Sequence, residues 1–303
     1  MSSPLERLAA GALAWLDGHL DHFDPFSASA RTAAYGKAKA ALELGLLCHC
    51  AGRLPEPPEA LDAAGALVRK LWQDPDFPAL FDEVPSYAAT YGLVYAALAP
   101  EGIDRTQVRA VLGRLGPALL SPQGKTPYQR IELRHYADKA GVAHGVEPYA
   151  ELLPHSPLLA FRAGPADGPP LPLPQAYGVT HAAFYLGDFG RTAPGLDAAG
   201  LAHAHDLVER MLRHGVAHEE WDLIAELVLT QFILGRDPLR TPSGAAAVAC
   251  LVRAQRPDGA LPGRSAELAA QPAAPGAEFF GRAYHTTLVT ALMALVVAAP
   301  RPS

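Results

Sequence analysis

Three stretches in the carboxy-terminal half carry the residue types best suited to acid–base chemistry. In Thr180-His181-Ala182-Ala183-Phe184-Tyr185-Leu186-Gly187-Asp188, positions 181, 185 and 188 follow one another at i, i+4 and i+7. One helix face would then hold an imidazole, a phenol and a carboxylate. In Trp221-Asp222-Leu223-Ile224-Ala225-Glu226 two carboxylates four residues apart are likewise co-facial, and His285 follows Tyr284 at the start of the last helical stretch. Segments otherwise this apolar do not usually keep such groups unless they are hydrogen-bonded or functional. A carboxylate fixes the tautomer of a neighbouring imidazole and makes it a general base. The candidate catalytic set is therefore His181, Asp188, Asp222, Glu226 and His285. Within it, His181, Asp222 and His285 offer a nitrogen and oxygen donor set of the kind that holds zinc or iron(II), with an open position to activate water. The plainer alternative is that all five are interior polar groups tying helices together.

A second run, Tyr128-Gln129-Arg130-Ile131-Glu132-Leu133-Arg134-His135-Tyr136, places Glu132 and Tyr136 four apart with Tyr128 one turn earlier. Ion pairing on a solvated face explains most such runs, and Glu132 becomes a further acid if the face lines a cavity. Tyr87, Tyr91 and Tyr95 recur at four-residue intervals, a stripe that reads as core and could also stack an apolar ligand. Tyr185, Trp221, Tyr284, Glu132 and Tyr91 are the candidate substrate-binding residues. In Cys48-His49-Cys50 the adjacent donors cannot share one helical face, so no structural zinc is expected there. The chain has no Gly-rich phosphate loop, no Gly-x-Ser-x-Gly elbow, no His-Glu-x-x-His and no kinase motif set. Nucleotide-dependent and serine-hydrolase functions lose their support.

The elements that must position these groups read as helical almost throughout. Leu5, Leu8, Ala12, Leu16 and Leu20 keep the three-and-four spacing of an amphipathic helix, with Ser2 or Ser3 ahead of Pro4 as its start. Similar stretches fall near 30–52, 58–73, 85–98, 104–118, 126–140, 174–187, 196–215, 219–234, 241–255 and 281–298, with a short one near 147–153. Alternating β-branched runs are missing, so the class is all-α. Between Pro154 and Pro174 seven prolines interrupt the pattern, a density that predicts a helix-free connection between halves 1–153 and 175–303. Each half is too small for a generous core of its own. A single domain of about twelve helices in antiparallel hairpins, closed as an (α/α)6 toroid, gathers side chains from distant hairpins around one cavity.

The segment Gln255-Arg256-Pro257-Asp258-Gly259, then Pro262-Gly263 and Tyr284-His285-Thr286, resembles the repeat of α/α-toroid proteins such as protein prenyltransferase β-subunits and terpene cyclases. The resemblance implies that scaffold and, through the Tyr-His-Thr triplet, a zinc-binding histidine at His285. It covers about 45 residues. Glu219-Glu220-Trp221-Asp222-Leu223 supplies an aspartate where prenyltransferases carry Asp-x-Cys, and the Asp-x-Asp-Asp motif of the cyclases does not occur. Only the scaffold is carried over. The whole chain is also similar to an actinobacterial helical family whose members carry no assigned chemistry.

Of 303 residues, 58 are alanine, and a net charge of −6 argues against a broad phosphate-neutralising surface for nucleic acid. The longest apolar run, Val289 to Ala299 interrupted by Thr290, is too short to cross a bilayer. Three cysteines fit a reducing compartment, and Glu6 spoils the basic end of a secretory signal, so a cytosolic protein is expected. The expected function is an enzyme of specialised metabolism, using His/carboxylate acid–base or metal-assisted chemistry on a small or peptide-like substrate. A non-catalytic protein enclosing an apolar molecule or peptide is the alternative, with an exterior interaction scaffold as a third. Zinc or iron(II) is the only cofactor the residues suggest, and the sequence fixes neither whether it binds nor the oligomeric state.

Overall fold

Polar caps fix where the helices begin. Ser3 and Glu6 cap each other's backbone N–H groups at the start of the first helix, and Thr126 and Gln129 do the same further along. Asp197 and Thr241 each accept a backbone N–H three residues on. The computed structural model describes residues 3–30, 36–164, 168–263 and 276–300. Over these residues the chain forms fourteen α-helices, several short 3-10 turns and no strand. In order they are α1 (Pro4–Asp17), α2 (Leu20–Phe23), α3 (Ala38–Ala51), α4 (Asp62–Gln73), α5 (Pro85–Ala97), α6 (Thr106–Gly113) and α7 (Pro127–Ala140). The rest are α8 (Tyr149–Leu152), α9 (Pro157–Ala160), α10 (Leu173–Leu186), α11 (Ala198–His218), α12 (Trp221–Ile233), α13 (Pro242–Ala254) and α14 (Gly276–Ala298). The all-α expectation holds. The stretch expected over 104–118 stops at Gly113, ahead of Gly116 and Pro117.

Six helices succeed one another as packing partners: α3 with α5, α5 with α7, α7 with α10, α10 with α12, α12 with α14, and α14 with α3. The others lie against members of this series. Helix α4 packs on α3, α6 on α5, α8 on α7, α9 on α10, α11 on α12, and α1 on α14. Side-chain pairs give the relative direction. Between α7 and α10, Tyr128 meets His181, Glu132 meets Tyr185 and Lys139 meets Asp188, so both helices climb together. The same order links α10 to α12 through Tyr177–Asp222 and Thr180–Glu226. These pairs set the second half of α10 beside the first halves of α7 and α12.

One apolar cluster spans both halves of the chain, from Leu5 to Val296. Trp72 Nε1–H donates to the Tyr95 carbonyl at 2.8 Å and the Tyr95 hydroxyl donates to the Trp72 carbonyl at 2.9 Å, pinning α4 to α5. The expectation of a helix-free stretch over 154–174 needs correction. Helix α9 forms inside it, because Pro157 occupies the first helical position, where its missing N–H has no partner to lose. Its Leu158 is fully buried. Pro165 of that stretch lies outside the described residues.

Helix α14 also departs from expectation. Glu278–Ala298 is long and apolar enough, by length and composition, to cross a bilayer, with mean hydropathy 1.3. Of its most apolar window, 67% is buried in the fold, where it packs on α1, α3 and α12. That burial is the pattern of a core helix.

The Gln255–Gly259 turn clasps the chain's beginning. Gln255 Nε2 donates to the carbonyls of Leu8 (3.0 Å) and Gly259 (3.1 Å). Gly259 has φ +94°, and a Cβ there would come within 2.0 Å of the Gly11 carbonyl oxygen. A Gly259→Ala substitution combines left-handed strain with overpacking, and should cost about 2–4 kcal/mol. Urea titration of both proteins checks this through a lower midpoint at unchanged slope.

Candidate functional site

Helix α12 is buried without a break from Leu223 to Ile233, and Glu226 is the only carboxylate in that span. It is 1% exposed. A lone buried carboxylate is costly, and its partners show how the charge is met. Oε1 lies 3.4 Å from His181 Nε2 and 4.0 Å from His285 Nε2, and Oε2 accepts from the Thr180 hydroxyl at 2.5 Å. The site is built outward from this group. On one side His285 Nδ1 sits 3.2 Å from Glu43 Oε1, an ion pair without hydrogen-bond alignment, and Lys39 pairs with the same carboxylate. Lys39 Nζ also donates to the Tyr284 hydroxyl at 3.3 Å. On the other side His181 Nδ1 lies 3.2 Å from the Tyr128 hydroxyl, and the Tyr185 hydroxyl donates to Glu132 at 3.0 Å. A polar track thus crosses α3, α14, α12, α10 and α7.

The imidazoles are not sealed in. His181 and His285 keep 34% and 38% of their side chains accessible, against 2% for the Glu226 side chain between them. The arrangement is two open imidazoles over a buried carboxylate.

Charge sets the titration. Burial pushes His181 down, but the Glu226 carboxylate overrides it and raises the imidazole above its ordinary value. His285 follows the same pattern, raised mainly by Glu43 against burial and the nearby Lys39 charge. Burial would lift Glu226, yet the two imidazoles and the Thr180 hydroxyl hold it below the usual carboxylate range. Glu43 is likewise held low by Lys39 and His285 despite its burial. Glu132 goes the other way. Burial dominates and raises it, with Tyr185, His181 and Tyr128 only partly offsetting. The cluster therefore combines protonatable imidazoles, two fixed carboxylates and one carboxyl that holds its proton more tightly.

Of the residues singled out from sequence, His181, Glu226 and His285 are brought together, and Glu132, Tyr185 and Tyr284 join them. Asp222 shares a face with Glu226 but hydrogen-bonds the Tyr177 hydroxyl, not an imidazole. Asp188 does not join the set. Helix α10 ends at Leu186, so the i+7 projection fails, and Asp188 (φ +43°) turns to Arg53, Lys139 and Arg191. Tyr91 is buried against Phe81 and Tyr87, and Trp221 packs at the edge of the core beside Cys250. The donor set His181, Asp222 and His285 is not a metal centre. Among the described residues no three His, Cys, Asp or Glu side chains are placed to hold an ion. Asp222 is engaged by Tyr177, and the residues present are not gathered into the three-donor set that zinc or iron(II) would need.

Sequence reading missed Lys39 and Glu43, although an i, i+4 ion pair inside the apolar stretch Ala38–Leu47 was a visible signal. It also passed over Thr180 and Tyr177, which look like ordinary helix residues until their partners are known.

The match of the chain to known families bears on this geometry. Residues 9–295 match the model of a family described as Domain of unknown function (DUF6895), nearly the whole chain. The chain belongs to the DUF6895 family. No curated protein matches it. In this DUF6895 chain the matched region holds every residue of the polar track, from Lys39 to His285.

The pairing makes stability pH-dependent with a definite sign. Raised imidazoles contribute stability that is full below the unfolded value near 6.5 and is lost as pH rises through their folded values. Depressed carboxylates contribute above their unfolded value of 4.5 and lose it as pH falls. Glu226→Gln should therefore flatten the fall in thermal midpoint as pH rises above 6.5. Calorimetry of both proteins across that range is the check, and parallel curves would contradict the pairing.

Proposed function

We propose that the His181–Glu226–His285 cluster is the active site of an acid–base enzyme acting on a small or peptide-like substrate. The observation that carries the reading is the Glu226 carboxylate, buried between two imidazoles that themselves stay open to solvent. Here about a third of each imidazole side chain stays accessible while the counter-charge is enclosed. His181 and His285 exchange protons with the substrate in this reading, and Glu226 stabilises each imidazolium as it forms. Glu132, with its raised carboxyl, supplies or receives a proton through Tyr128 and His181. Lys39 and Glu43 hold His285 in register.

The scaffold we infer is an (α/α)6 ring. Helices α3, α5, α7, α10, α12 and α14 are its inner members, and the outer layer is formed by the helices packed against them. The succession of packing partners that returns from α14 to α3 supports it, as do the parallel pairs. The inner helices then bring His181, Glu226 and His285 to one level of the ring. A cytosolic setting is part of the proposal, supported by three free cysteines, of which Cys48 and Cys50 are pushed up to about 12 by burial and are poor nucleophiles.

The test is turnover in a mixed small-metabolite and peptide extract followed by mass spectrometry, with Glu226→Gln and His181→Asn run beside the native chain. The native protein should consume a component, and each variant should be slower by about 10²–10⁴-fold, the usual span for acid–base groups. Equal consumption by all three would defeat the reading. Retention of an unaltered component by the native chain, with no turnover, would favour the ligand-binding alternative instead.

A further inference from the structure

A second concentration of charge lies at the carboxy-terminal ends of the same helices. Arg53, two residues past the end of α3, grips Asp188 with both ends of its fork, Nη1 to Oδ1 at 3.2 Å and Nη2 to Oδ2 at 2.7 Å. Lys139, in the last turn of α7, reaches Oδ1 at 2.7 Å, and Arg191 approaches Oδ2 at 3.9 Å. Three cations share one carboxylate. Arg53 and Lys139 also line a cavity of about 520 Å³. Arg69 of α4 and Arg105, just ahead of α6, border the same cavity from the outer layer.

The balance of charge around this space runs against that of the whole chain. The protein carries 25 basic and 31 acidic residues, yet four cations line the cavity against two carboxylates, Asp62 and Glu101. Histidine adds no charge there. Burial, followed by the Lys139 and Arg53 charges, drops His49 to about 4, so its ring is neutral near pH 7. Asp188 accounts for only one of the positive charges facing it. Local cation excess of this kind, in a hollow the size of a small-molecule site, concentrates an anion and offers it forked N–H donors.

We propose that this cavity binds a small metabolite through a phosphate or carboxylate oxyanion, with Arg53 and Lys139 as the inner contacts and Arg69 and Arg105 as the outer ones. Asp188 acts as a positioning residue, holding Arg53 and Lys139 in place when no ligand is bound. Its backbone fits that task. Asp188 and Phe189 sit at φ +43° and +54°, ahead of Gly190 at +94°, a conformation kept only where the surroundings enforce it. The three cations are that enforcement. None of the residues of the His181–Glu226–His285 cluster lines this cavity, so the two proposals stand or fall separately.

Isothermal titration calorimetry of the full chain, at fixed ionic strength, with inorganic pyrophosphate in one series and citrate in another, decides the matter. Saturable one-to-one binding of at least one probe is expected, and the preferred probe tells phosphate from carboxylate. The Arg69→Ala/Arg105→Ala protein leaves the Asp188 cluster intact and should bind about tenfold more weakly at an unchanged thermal midpoint. Arg105→Ala alone, at an exposed position, should show a smaller loss and serves if the double variant is unstable. Glu226→Gln should bind as the native chain does. Absence of saturable heat with both probes, or equal affinity in the arginine variants, would overturn the proposal.

Discussion

Burying one carboxylate in the middle of an apolar helix constrains everything around it. Removing an ion from water costs several kcal/mol even after relaxation, and the cost is recovered only with well-placed partners. Glu226 finds them on three helices other than its neighbours in sequence: Thr180 and His181 on α10, His285 on α14, and behind His285 the Glu43–Lys39 pair on α3. Those helices cannot slide or rotate freely past α12. The apolar packing gives the fold its bulk, and this ionic track fixes the register in which the bulk is assembled.

Parallel helices have two unlike ends, and this chain uses them differently. Around Glu226, imidazoles alternate with carboxylates and charges nearly cancel. At the carboxy-terminal ends cations predominate, where they also face the partial negative charge of the helix termini. Asp188 sits at the second end although it lies only seven residues from His181 in sequence, because Gly187 stops α10 and the chain reverses in left-handed conformation. A helix one turn longer would have carried that carboxylate toward a different neighbour.

Much of this was legible in the sequence, for identifiable reasons. Periodicity gave the helices, since Leu5, Leu8, Ala12 and Leu16 are all buried on one face of α1. The incompatibility of His181, Glu226 and His285 with their apolar surroundings marked them as special, and they do meet. Long-range pairing was not legible. Nothing local says that Asp222 will face Tyr177, or that Glu43 will lie against His285 some 240 positions later. The helix expected over 174–187 ends within a residue of Leu186, where α10 stops, but carrying its face on to Asp188 ran the period past that end, at a glycine where a Cβ would come within 2.4 Å of the Ile233 side chain. Helix α9 was missed because proline density was weighed without regard to which proline opens a turn.

The place of α14 has a consequence for biosynthesis. This late segment packs against both α1 and α3 and brings His285 to partners laid down near the beginning. While a ribosome is still translating the middle of the message, the apolar sides of α1 and α3 have no permanent cover and Glu43 has no imidazole. The nascent polypeptide must wait, exposed to chaperones and proteases, until its tail emerges and docks. Premature termination ahead of that tail would leave a product missing both its seal and half of its imidazole pair.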